Sequence, residues 1–409
     1  MTDYTAGRET RVMTEDDHAA HLDLVLTAFL STDHGEELRG SMDIQLADGR
    51  RLGEFIDGRL VGSACATVRE LTVPDAVGVQ ALAVSWVAVA PDQRRRGVLS
   101  GLMRRQLNDA HEDGGPAIAA LWASEAAIYQ RFGYGCATTK VDYRVSAKAA
   151  FRPEIDLGDD RVREVAPEEA VAIARPLYDA YAAQRTGCWR RTDRDWRYRA
   201  YDPAGLRAGR TAQRWAVHPD GFASFRAKHN WTERGPDYTI SVNELIATTP
   251  AAHAALLRYL LDMDLSGWLT VSGATDDPMP VLLHNSRAAI GTPTDALYIR
   301  VIDLDRALAQ RRYHAPVDVV IEVADALCPW NEGRWRLSAD EKGGAVVSRT
   351  NDPADLATRG TELGAAYLGG TRLTTLADAG LVTEHTPGAV AALSAALLSQ
   401  RAPRTLDVF

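Results

Sequence analysis

Three consecutive arginines followed by a glycine stand between an apolar run and an amphipathic pattern. The run over 81–90 predicts a buried strand, and apolar residues at helical spacing over 98–110 predict a helix. The N–H groups and the dipole of a helix N-terminus attract anions, and Gly97 would let a pyrophosphate approach the backbone. We therefore predict that Arg94, Arg95 and Gly97 bind a phosphorylated cofactor. The alternative is a solvated arginine-rich loop without a ligand.

The sequence lacks the other common phosphate motifs and the usual spacings of metal ligands. A dinucleotide fold would carry Gly-x-Gly-x-x-Gly after a strand, and a P-loop would carry Gly-x-x-x-x-Gly-Lys before Ser or Thr; neither is present. The four cysteines, Cys65, Cys136, Cys188 and Cys328, lie far apart and form no zinc-binding spacing. We expect neither a metal site nor a disulfide framework, and a reducing cytoplasm fits this cysteine usage.

Composition narrows the classes of function. The chain has 409 residues, of which 46% are hydrophobic and 25% are charged, as in a folded globular protein of two or three domains. Lys and Arg number 46 against 55 Asp and Glu, which gives a formal charge of -9. Nonspecific nucleic-acid binding therefore lacks a driving force, whereas a cationic partner is favoured. Since no signal peptide is evident and no apolar stretch reaches the ~20 residues of a membrane helix, we expect a cytoplasmic protein without a membrane partner.

The elements around the arginine segment predict a first domain. Before it come a helix and several strands, including a hairpin that turns at Asp57-Gly58, where glycine tolerates positive φ. After it come a strand over 117–123, a short helix over 124–131 and a strand over 137–145, which closes the domain.

Two further units follow the first domain. The second repeats the order of helices and strands loosely, which indicates a duplication, and includes strands over 214–218 and 238–247. At the position of the arginine segment, residues 246–250 contain neither a glycine nor a basic residue, so we predict that this copy binds no anion. The third unit combines strands over 317–323 and 334–338 with a helical tail.

The segment over 94–99, Arg-Arg-Arg-Gly-Val-Leu, resembles the acetyl-CoA motif of the GNAT N-acetyltransferases, Arg/Gln-x-x-Gly-x-Gly/Ala, with Leu99 in place of the last small residue. The run VSWVAVAPDQRRRGVL and the segments over 123–135, 300–305 and 328–335 give a narrower resemblance. Over the whole chain, the sequence is similar to the Eis (enhanced intracellular survival) family of aminoglycoside N-acetyltransferases.

That resemblance implies an α/β fold of the mixed α+β kind with three domains. Residues 1–150 would form the N-terminal GNAT domain that binds acetyl-CoA and carries catalysis. Residues 151–299 would form a degenerate GNAT-like domain, and residues 300–409 a domain similar to sterol carrier protein that brings the C-terminus to the active site. The resemblance also implies a homohexamer in which two trimers pair.

Direct acetyl transfer from a thioester to an amine needs no covalent enzyme intermediate. The amine must lose a proton, the oxyanion must be stabilised, and the departing thiolate benefits from a proton donor. Tyr129 matches the position of the family's catalytic tyrosine, and a reference pKa of about 10 keeps its hydroxyl protonated at neutral pH. The alternative is a tyrosine that packs a short helix. Tyr134, beyond the helix stop at Gly133, is the weaker candidate.

The resemblance further implies that the α-carboxylate of Phe409 is the base. An ordinary C-terminus frays and has a pKa of about 3.3–3.7, so burial or a relaying water would be required. The backbone N–H groups of Val87 and Val89 would hold the pantetheine arm and the thioester, with Ser124 near the cofactor. Val408 differs from the family, whose characterised members carry an acidic residue there.

Aromatic and acidic residues are candidates for binding the acceptor. Trp86 and Trp122 occupy positions that resemble pocket aromatics of the family, and a loop region expected to border the pocket carries Asp33, Glu36 and Glu37. Carboxylates there would attract a polyamine by charge. In the alternative interpretation, Trp86 belongs to the core and the acidic residues to a solvated loop.

The sequence therefore predicts an acetyl-CoA-dependent N-acetyltransferase that modifies aminoglycoside-type polyamines at several amines, an activity associated with antibiotic resistance. The predicted partner is a small polyamine, with no metal and no nucleic acid. Two alternatives stay open. The acceptor could be a lysine side chain or another small amine, and the C-terminal domain could make the chain a lipid-binding protein.

Overall fold

The computed structural model describes residues 7–31 and 35–409 of the chain. They form two compact units. Unit 1 contains Met1–Thr138, Ala296–Gln400 and Asp407–Phe409, and unit 2 contains Thr139–Asp295 and Arg401–Leu406. Within the described residues, no helix combines the length and the apolar character that crossing a membrane requires.

The strands of the described residues, in chain order, are β1 (Arg8–Val12), β2 (Arg50–Ile56), β3 (Arg59–Val73), β4 (Val77–Val89), β5 (Ile118–Trp122), β6 (Gly135–Cys136), β7 (Thr139–Ser146), β8 (Arg163–Val165), β9 (Arg214–His218), β10 (Gly221–Lys228), β11 (Trp231–Thr232), β12 (Gly235–Pro236), β13 (Tyr238–Ala247), β14 (Ser266–Ala274), β15 (Ala289–Asp295), β16 (Leu297–Val301), β17 (Val317–Ala324), β18 (Gly333–Ala339), β19 (Ala345–Arg349), β20 (Leu356–Arg359) and β21 (Thr383–Glu384). The strands predicted over 214–218 and 238–247 are confirmed at those bounds.

The α-helices of the same residues are α1 (His18–Ala28), α2 (Gly35–Gln45), α3 (Val98–Glu112), α4 (Ala126–Gln130), α5 (Pro167–Ala182), α6 (Asp193–Ala200), α7 (Pro250–Leu261), α8 (Met279–Leu282), α9 (Leu304–Ala309), α10 (Gly360–Ala366), α11 (Leu373–Asp378) and α12 (Ala389–Leu397).

The first sheet of unit 1 has the strand order β1-β2-β3-β4-β5-β16-β6. Its neighbours are antiparallel except β4 and β5, which are parallel and are connected through α3. The hairpin predicted at Asp57-Gly58 is confirmed, with φ of 49° and 78° at these residues. Positive φ at both positions is what a type I′ turn requires, so the turn leads β2 directly into β3.

The helix predicted over 98–110 is confirmed as α3, which packs one face on this sheet. Its buried residues are Val98, Leu102, Met103, Gln106 and Leu107. Gly62 on β3 permits the close approach, since a Cβ at that position would lie 2.3 Å from Val98 Cγ1. The apolar face therefore fixes where the N-terminus of α3 stands relative to β4.

The sheet of unit 2 has the order β15-β7-β14-β13-β10-β9-β8. It repeats the central feature of the first sheet, because β13 and β14 are parallel and are connected through α7. The similarity in element order that the sequence indicated is thus present in the structure.

The strand predicted over 137–145 is observed as β7, but its predicted place in the first domain is wrong. β7 pairs with β14 and β15 in the sheet of unit 2. β16, which follows the second unit in the chain, pairs with β5 and β6 in the sheet of unit 1. Val141, Tyr143 and Val145 of β7 belong to the core of unit 2, so burial holds the strand there.

The remainder of unit 1 contains the sheet β19-β18-β17-β20-β21 together with α9 to α12. The strands predicted over 317–323 and 334–338 are confirmed as β17 and β18, and the helix of the predicted tail as α12. Arg300 on β16 forms a buried two-point ion pair with Asp325, at 2.7 and 2.6 Å. This pair links the β17 sheet to the first sheet within unit 1.

Candidate active site

The parallel strands β4 and β5 separate toward their carboxyl ends. Their pairing runs from Ala81 opposite Ile118 to Val84 opposite Leu121, whereas β4 continues to Val89 along β3. The register with β3 shifts at this point, which is a β-bulge. A cleft therefore opens between the last residues of β4 and the end of β5.

Trp86 stands at the bulge in an unusual backbone conformation, with φ of 52°. The Ser63 hydroxyl donates to the Trp86 carbonyl at 2.9 Å, and the Trp86 indole N–H donates to Gln45 Oε1 at 2.9 Å. Trp86 is partly buried and packs against the core of unit 1, and its role in the acceptor pocket stays a prediction. Its two hydrogen bonds secure the bulge that separates the strands.

The backbone of Val87 and Val89 faces the cleft. Successive N–H groups of a strand point to opposite edges, and the Ala90 N–H donates to Val61 O on β3 at 2.9 Å. The N–H groups of Val87 and Val89 consequently point away from β3, toward the edge from which β5 has separated. They are placed to donate to a ligand that lies along β4.

Gly97 forms the N-cap of α3 with φ of 79°. A Cβ on Gly97 would meet no atom of the described residues within 4 Å, so the space beside the helix terminus is open. Among the described residues, no N-cap side chain accepts a hydrogen bond from the first N–H groups of α3. Arg94, Arg95 and Arg96 are exposed. An open, uncapped helix N-terminus beside three arginines fits a phosphorylated group.

Arg8 supports the arginine segment from β1. Its Nη1 donates to Arg96 O at 3.3 Å, and its Nε donates to the carboxylate of Glu54, which is fully buried. The Thr10 hydroxyl also donates to Glu54. This support could not be predicted from the sequence, because Arg8 and Glu54 are far apart in the chain and neither belongs to a local motif.

The two candidate tyrosines differ in the surroundings of their hydroxyl groups. Tyr129 on α4 is 9% exposed, and burial, with a smaller contribution from Glu125, raises its pKa to about 12. Tyr134 is fully buried, its pKa is raised by burial, and its hydroxyl is enclosed without a hydrogen-bond partner among the described residues. The hydroxyl of Tyr129 is neither enclosed in this way nor bonded to another described residue. Tyr129 is therefore the tyrosine whose hydroxyl can meet a ligand.

The last residues of unit 1 lie at the end of β5. The Trp122 indole N–H donates to Asp407 O at 2.9 Å. The guanidinium carbon of Arg69 lies 5.5 Å from the centre of the Phe409 ring. Asp407 is buried and Phe409 is half-buried, whereas Val408 is exposed. The structure thus brings Trp122 and the terminal residues together.

The other candidate residues are spread over separate elements. Ser124 is exposed and stands one residue before Glu125, the N-cap of α4. Glu36 and Glu37 lie in the first turn of α2, so their predicted place in a loop is wrong. The predicted Asp33 lies outside the described residues. The helix was missed because its sequence is polar and contains Gly40, which gives little apolar periodicity.

The corresponding helix of unit 2 begins differently. Pro250 is its first residue, and the Thr249 hydroxyl accepts a hydrogen bond from Ala252 N at 3.3 Å. A proline has no N–H to offer, and the threonine already satisfies one donor. This local structure supports the prediction that the second copy binds no anion.

Comparison with known proteins gives three domain matches. The Acetyltransferase (GNAT) domain is matched at residues 9–137, and a second Acetyltransferase (GNAT) domain at residues 187–301. The Sterol carrier protein domain is matched at residues 304–405. The predicted fold class, two GNAT domains followed by a domain similar to sterol carrier protein, is confirmed.

Relatives align over most of the chain. An uncharacterized N-acetyltransferase of Streptomyces avermitilis is 38% identical over 403 residues, which are 97% of this chain and 98% of the relative. The N-acetyltransferase Eis of Mycobacterium tuberculosis is 34% identical over 328 residues, which are 78% of each chain. The crystal structure of Eis1 from Mycobacterium abscessus matches with a TM-score of 0.83 at 33% identity and covers 98% of this chain and 100% of that one. Together with the separated β4 and β5 strands, these matches show that the chain belongs to the Eis family of GNAT N-acetyltransferases.

Proposed function

We propose that the protein acetylates amines of aminoglycoside-type polyamines, at more than one amine, with acetyl-CoA as the donor. The GNAT fold implies acetyl-CoA as cosubstrate. The observation that carries the proposal is the cleft between β4 and β5, which has an open helix N-terminus at one side and the terminal residues of the chain at the end of β5. Bound there, acetyl-CoA supplies a thioester whose acetyl carbon is open to attack by an amine.

Each reaction requirement has a candidate group in unit 1. The N–H groups of Val87 and Val89 donate to the thioester carbonyl oxygen as negative charge develops on it. Arg94, Arg95 and Gly97 hold the pyrophosphate, and Ser124, which is exposed, contacts the cofactor in this proposal. These assignments place binding along β4 and at the start of α3.

Two proton transfers accompany the exchange of a C–S bond for a C–N bond. Tyr129 donates its hydroxyl proton to the departing thiolate, and its pKa of about 12 keeps that proton in place at physiological pH. The terminal carboxylate of Phe409 accepts the proton of the attacking amine, directly or through a water. The Trp122 hydrogen bond to Asp407 O restrains the segment that carries this carboxylate.

The acceptor is proposed to lie between the aromatic groups Trp86 and Trp122 and the acidic start of α2. Glu36 is exposed there, and Glu37 is partly buried beside it. The role of Asp33 stays a prediction from the sequence. With a formal charge of -9, the protein attracts a polycationic acceptor over distance. An acidic, open surface would hold such an acceptor in several orientations, which accounts for acetylation at more than one amine.

A panel of amines tests this proposal. Acetylation of kanamycin-like polyamines, lysine peptides and monoamines is followed by release of the CoA thiol, and kcat/KM is compared. We expect the polyamines to exceed the lysine peptides by at least about tenfold in kcat/KM, because two additional contacts between a carboxylate and a cation, at roughly 1 kcal/mol each, exceed the roughly 1.4 kcal/mol that a tenfold difference requires. A preference for lysine peptides or monoamines would overturn the polyamine assignment in favour of the alternative acceptor.

Assembly and location stay predictions. The family resemblance predicts a homohexamer in the cytoplasm. Light scattering at several protein concentrations tests the homohexamer, and a mass corresponding to one chain would contradict it.

A further inference from the structure

Unit 2 contains a cleft of its own between parallel strands. The pairing of β13 with β14 ends at Ser241 opposite Thr270. β13 continues along β10 to Ala247, and β14 continues along β7 to Ala274. The two strands therefore separate toward their carboxyl ends, as β4 and β5 do in unit 1.

The tail segment Arg401–Leu406 belongs to unit 2 and reaches this cleft. Arg404 Nη2 donates to Leu245 O on β13 at 3.2 Å and to Ser272 O on β14 at 3.4 Å. Arg404 Nη1 donates to the Tyr181 hydroxyl at 2.9 Å, and the guanidinium carbon lies 5.7 Å from the centre of that ring. One guanidinium thus bridges the two strands where they have separated.

The backbone of the tail segment is also fixed to unit 2. Arg404 N donates to Thr186 O at 2.8 Å, and the Thr405 hydroxyl donates to Gly187 O at 3.1 Å. The Leu406 carbonyl accepts from Arg199 Nη2 at 2.7 Å. Gly187 has φ of 90°, and a Cβ on it would lie 3.0 Å from Arg404 O. The fit of the tail is close enough that a single methyl group would disturb it.

We propose that the cleft of the degenerate GNAT domain is a dock for the chain's own tail and that Arg404 is the positioning residue that holds it. In a GNAT domain with an open helix N-terminus, the equivalent cleft is the one proposed above for the acetyl donor. In unit 2 the helix start is capped by Thr249 and Pro250, and the tail's guanidinium occupies the cleft. In unit 2, a segment of the chain itself therefore lies where a cosubstrate would bind in unit 1.

The dock matters for catalysis through the residues that follow it. Asp407–Phe409 belongs to unit 1, directly after the docked segment. Docking removes most of the conformational freedom of these residues before the substrate binds, which raises the effective concentration of the terminal carboxylate. This role rests on the proposed function, since it requires Phe409 to be the base.

Substitution of Arg404 tests the dock in the full-length protein. Arg404→Ala is compared with Arg401→Ala, which removes an exposed arginine from the same segment. Carboxypeptidase A release of Phe409, followed by mass spectrometry, reports tail mobility, and steady-state kinetics report kcat and the KM for acetyl-CoA. For Arg404→Ala we expect release to accelerate and kcat to fall, each by at least about tenfold, with KM within about twofold of wild type. Arg401→Ala should match wild type in all three.

A second variant acts from the opposite side of the contact. Gly187→Ala adds a methyl group against the Arg404 backbone, and Gly209→Ala is its control, because Gly209 has φ of 74° and no described atom within 4 Å of its missing Cβ. Both substitutions strain the backbone, but only Gly187→Ala should release the tail. Equal tail release in the two glycine variants would contradict the dock.

The outcomes separate the dock from the proposed base. Release of Phe409 at the wild-type rate from Arg404→Ala would overturn the dock. Faster release with unchanged kcat would overturn the positioning role. If a chain extended beyond Phe409 keeps full activity while Arg404→Ala frees the tail, the base assignment fails and the dock stands.

Discussion

Replacing the two neighbouring tyrosines one at a time separates chemistry from stability. Tyr129 and Tyr134 lie with their ring centres 5.9 Å apart, edge to face, and each is replaced by phenylalanine, which removes only the hydroxyl. Because the Tyr129 hydroxyl bonds to no other described residue, its removal should change the free energy of unfolding by less than about 0.5 kcal/mol. Loss of a proton donor costs about 10²–10⁴-fold in rate, or roughly 3–5 kcal/mol of transition-state stabilisation.

Tyr134→Phe should show the opposite pattern. Its hydroxyl is enclosed without a partner in the described part of the chain, and an unsatisfied buried hydroxyl costs about 1–3 kcal/mol. Removing it should stabilise the protein by a fraction of that amount and leave kcat near the wild-type value. Both variants therefore remove one hydroxyl group, but Tyr129→Phe should lower the rate and Tyr134→Phe should raise the free energy of unfolding.

Acetyl transfer to a polyamine at saturating acetyl-CoA measures the rate, and urea denaturation measures the free energy of unfolding. Tyr129→Phe with a wild-type rate would refute its assignment as the acid. A rate loss in Tyr134→Phe equal to that in Tyr129→Phe would show that the enclosed hydroxyl, rather than the accessible one, serves the reaction.

Three further predictions follow from the same structure. Arg94→Ala should raise the KM for acetyl-CoA about tenfold with little change in kcat. The control is Arg104→Ala, which replaces an exposed arginine on α3 and should leave both KM and kcat unchanged. Equal effects of the two substitutions on KM would contradict the anion site. Asp325→Ala should lower the free energy of unfolding by about 3–5 kcal/mol in urea, because it leaves buried Arg300 without its ion-pair partner, and a loss under about 1 kcal/mol would contradict this. Burial, with a smaller contribution from the nearby charge of Arg51, lowers the pKa of His21 to about 4 from an ordinary 6.5. Between these two pH values the unfolded chain binds a proton that the folded chain does not, so the free energy of unfolding should fall by up to about 3 kcal/mol as the pH drops from 6.5 to 4. His21→Gln should make the free energy of unfolding less dependent on pH over this interval.

Local signals in the sequence predicted the elements that carry the site. Asp57-Gly58 set the hairpin between β2 and β3, because positive φ at adjacent residues is a property of the turn itself. The apolar run of β4, the glycine at 97 and the amphipathic pattern of α3 likewise depend only on neighbouring residues. The strand, the loop and the helix start can therefore be predicted from the sequence alone.

Contacts between distant parts of the chain could not be predicted in this way. The sequence of β7 alternates polar and apolar residues, and that of β16 is mostly apolar, but neither pattern shows which sheet the strand joins. Only the finished cores decide their partners. The Arg8–Glu54 pair and the Arg404 bridge join residues that are remote in sequence. The hydrogen bonds of Trp86 with Gln45 and Ser63 depend on the geometry of the bulge, which no local pattern in the sequence predicts.

The most direct test of the central claim is acetyl transfer by a chain that carries two extra residues after Phe409. Such a chain keeps Tyr129, the β4 edge and the arginine segment but moves the carboxylate away from its proposed place. We predict unchanged binding of acetyl-CoA and a fall in kcat of about 100-fold, the effect of losing a positioned base. Transfer to a polyamine at the wild-type rate by the extended chain would contradict the claim.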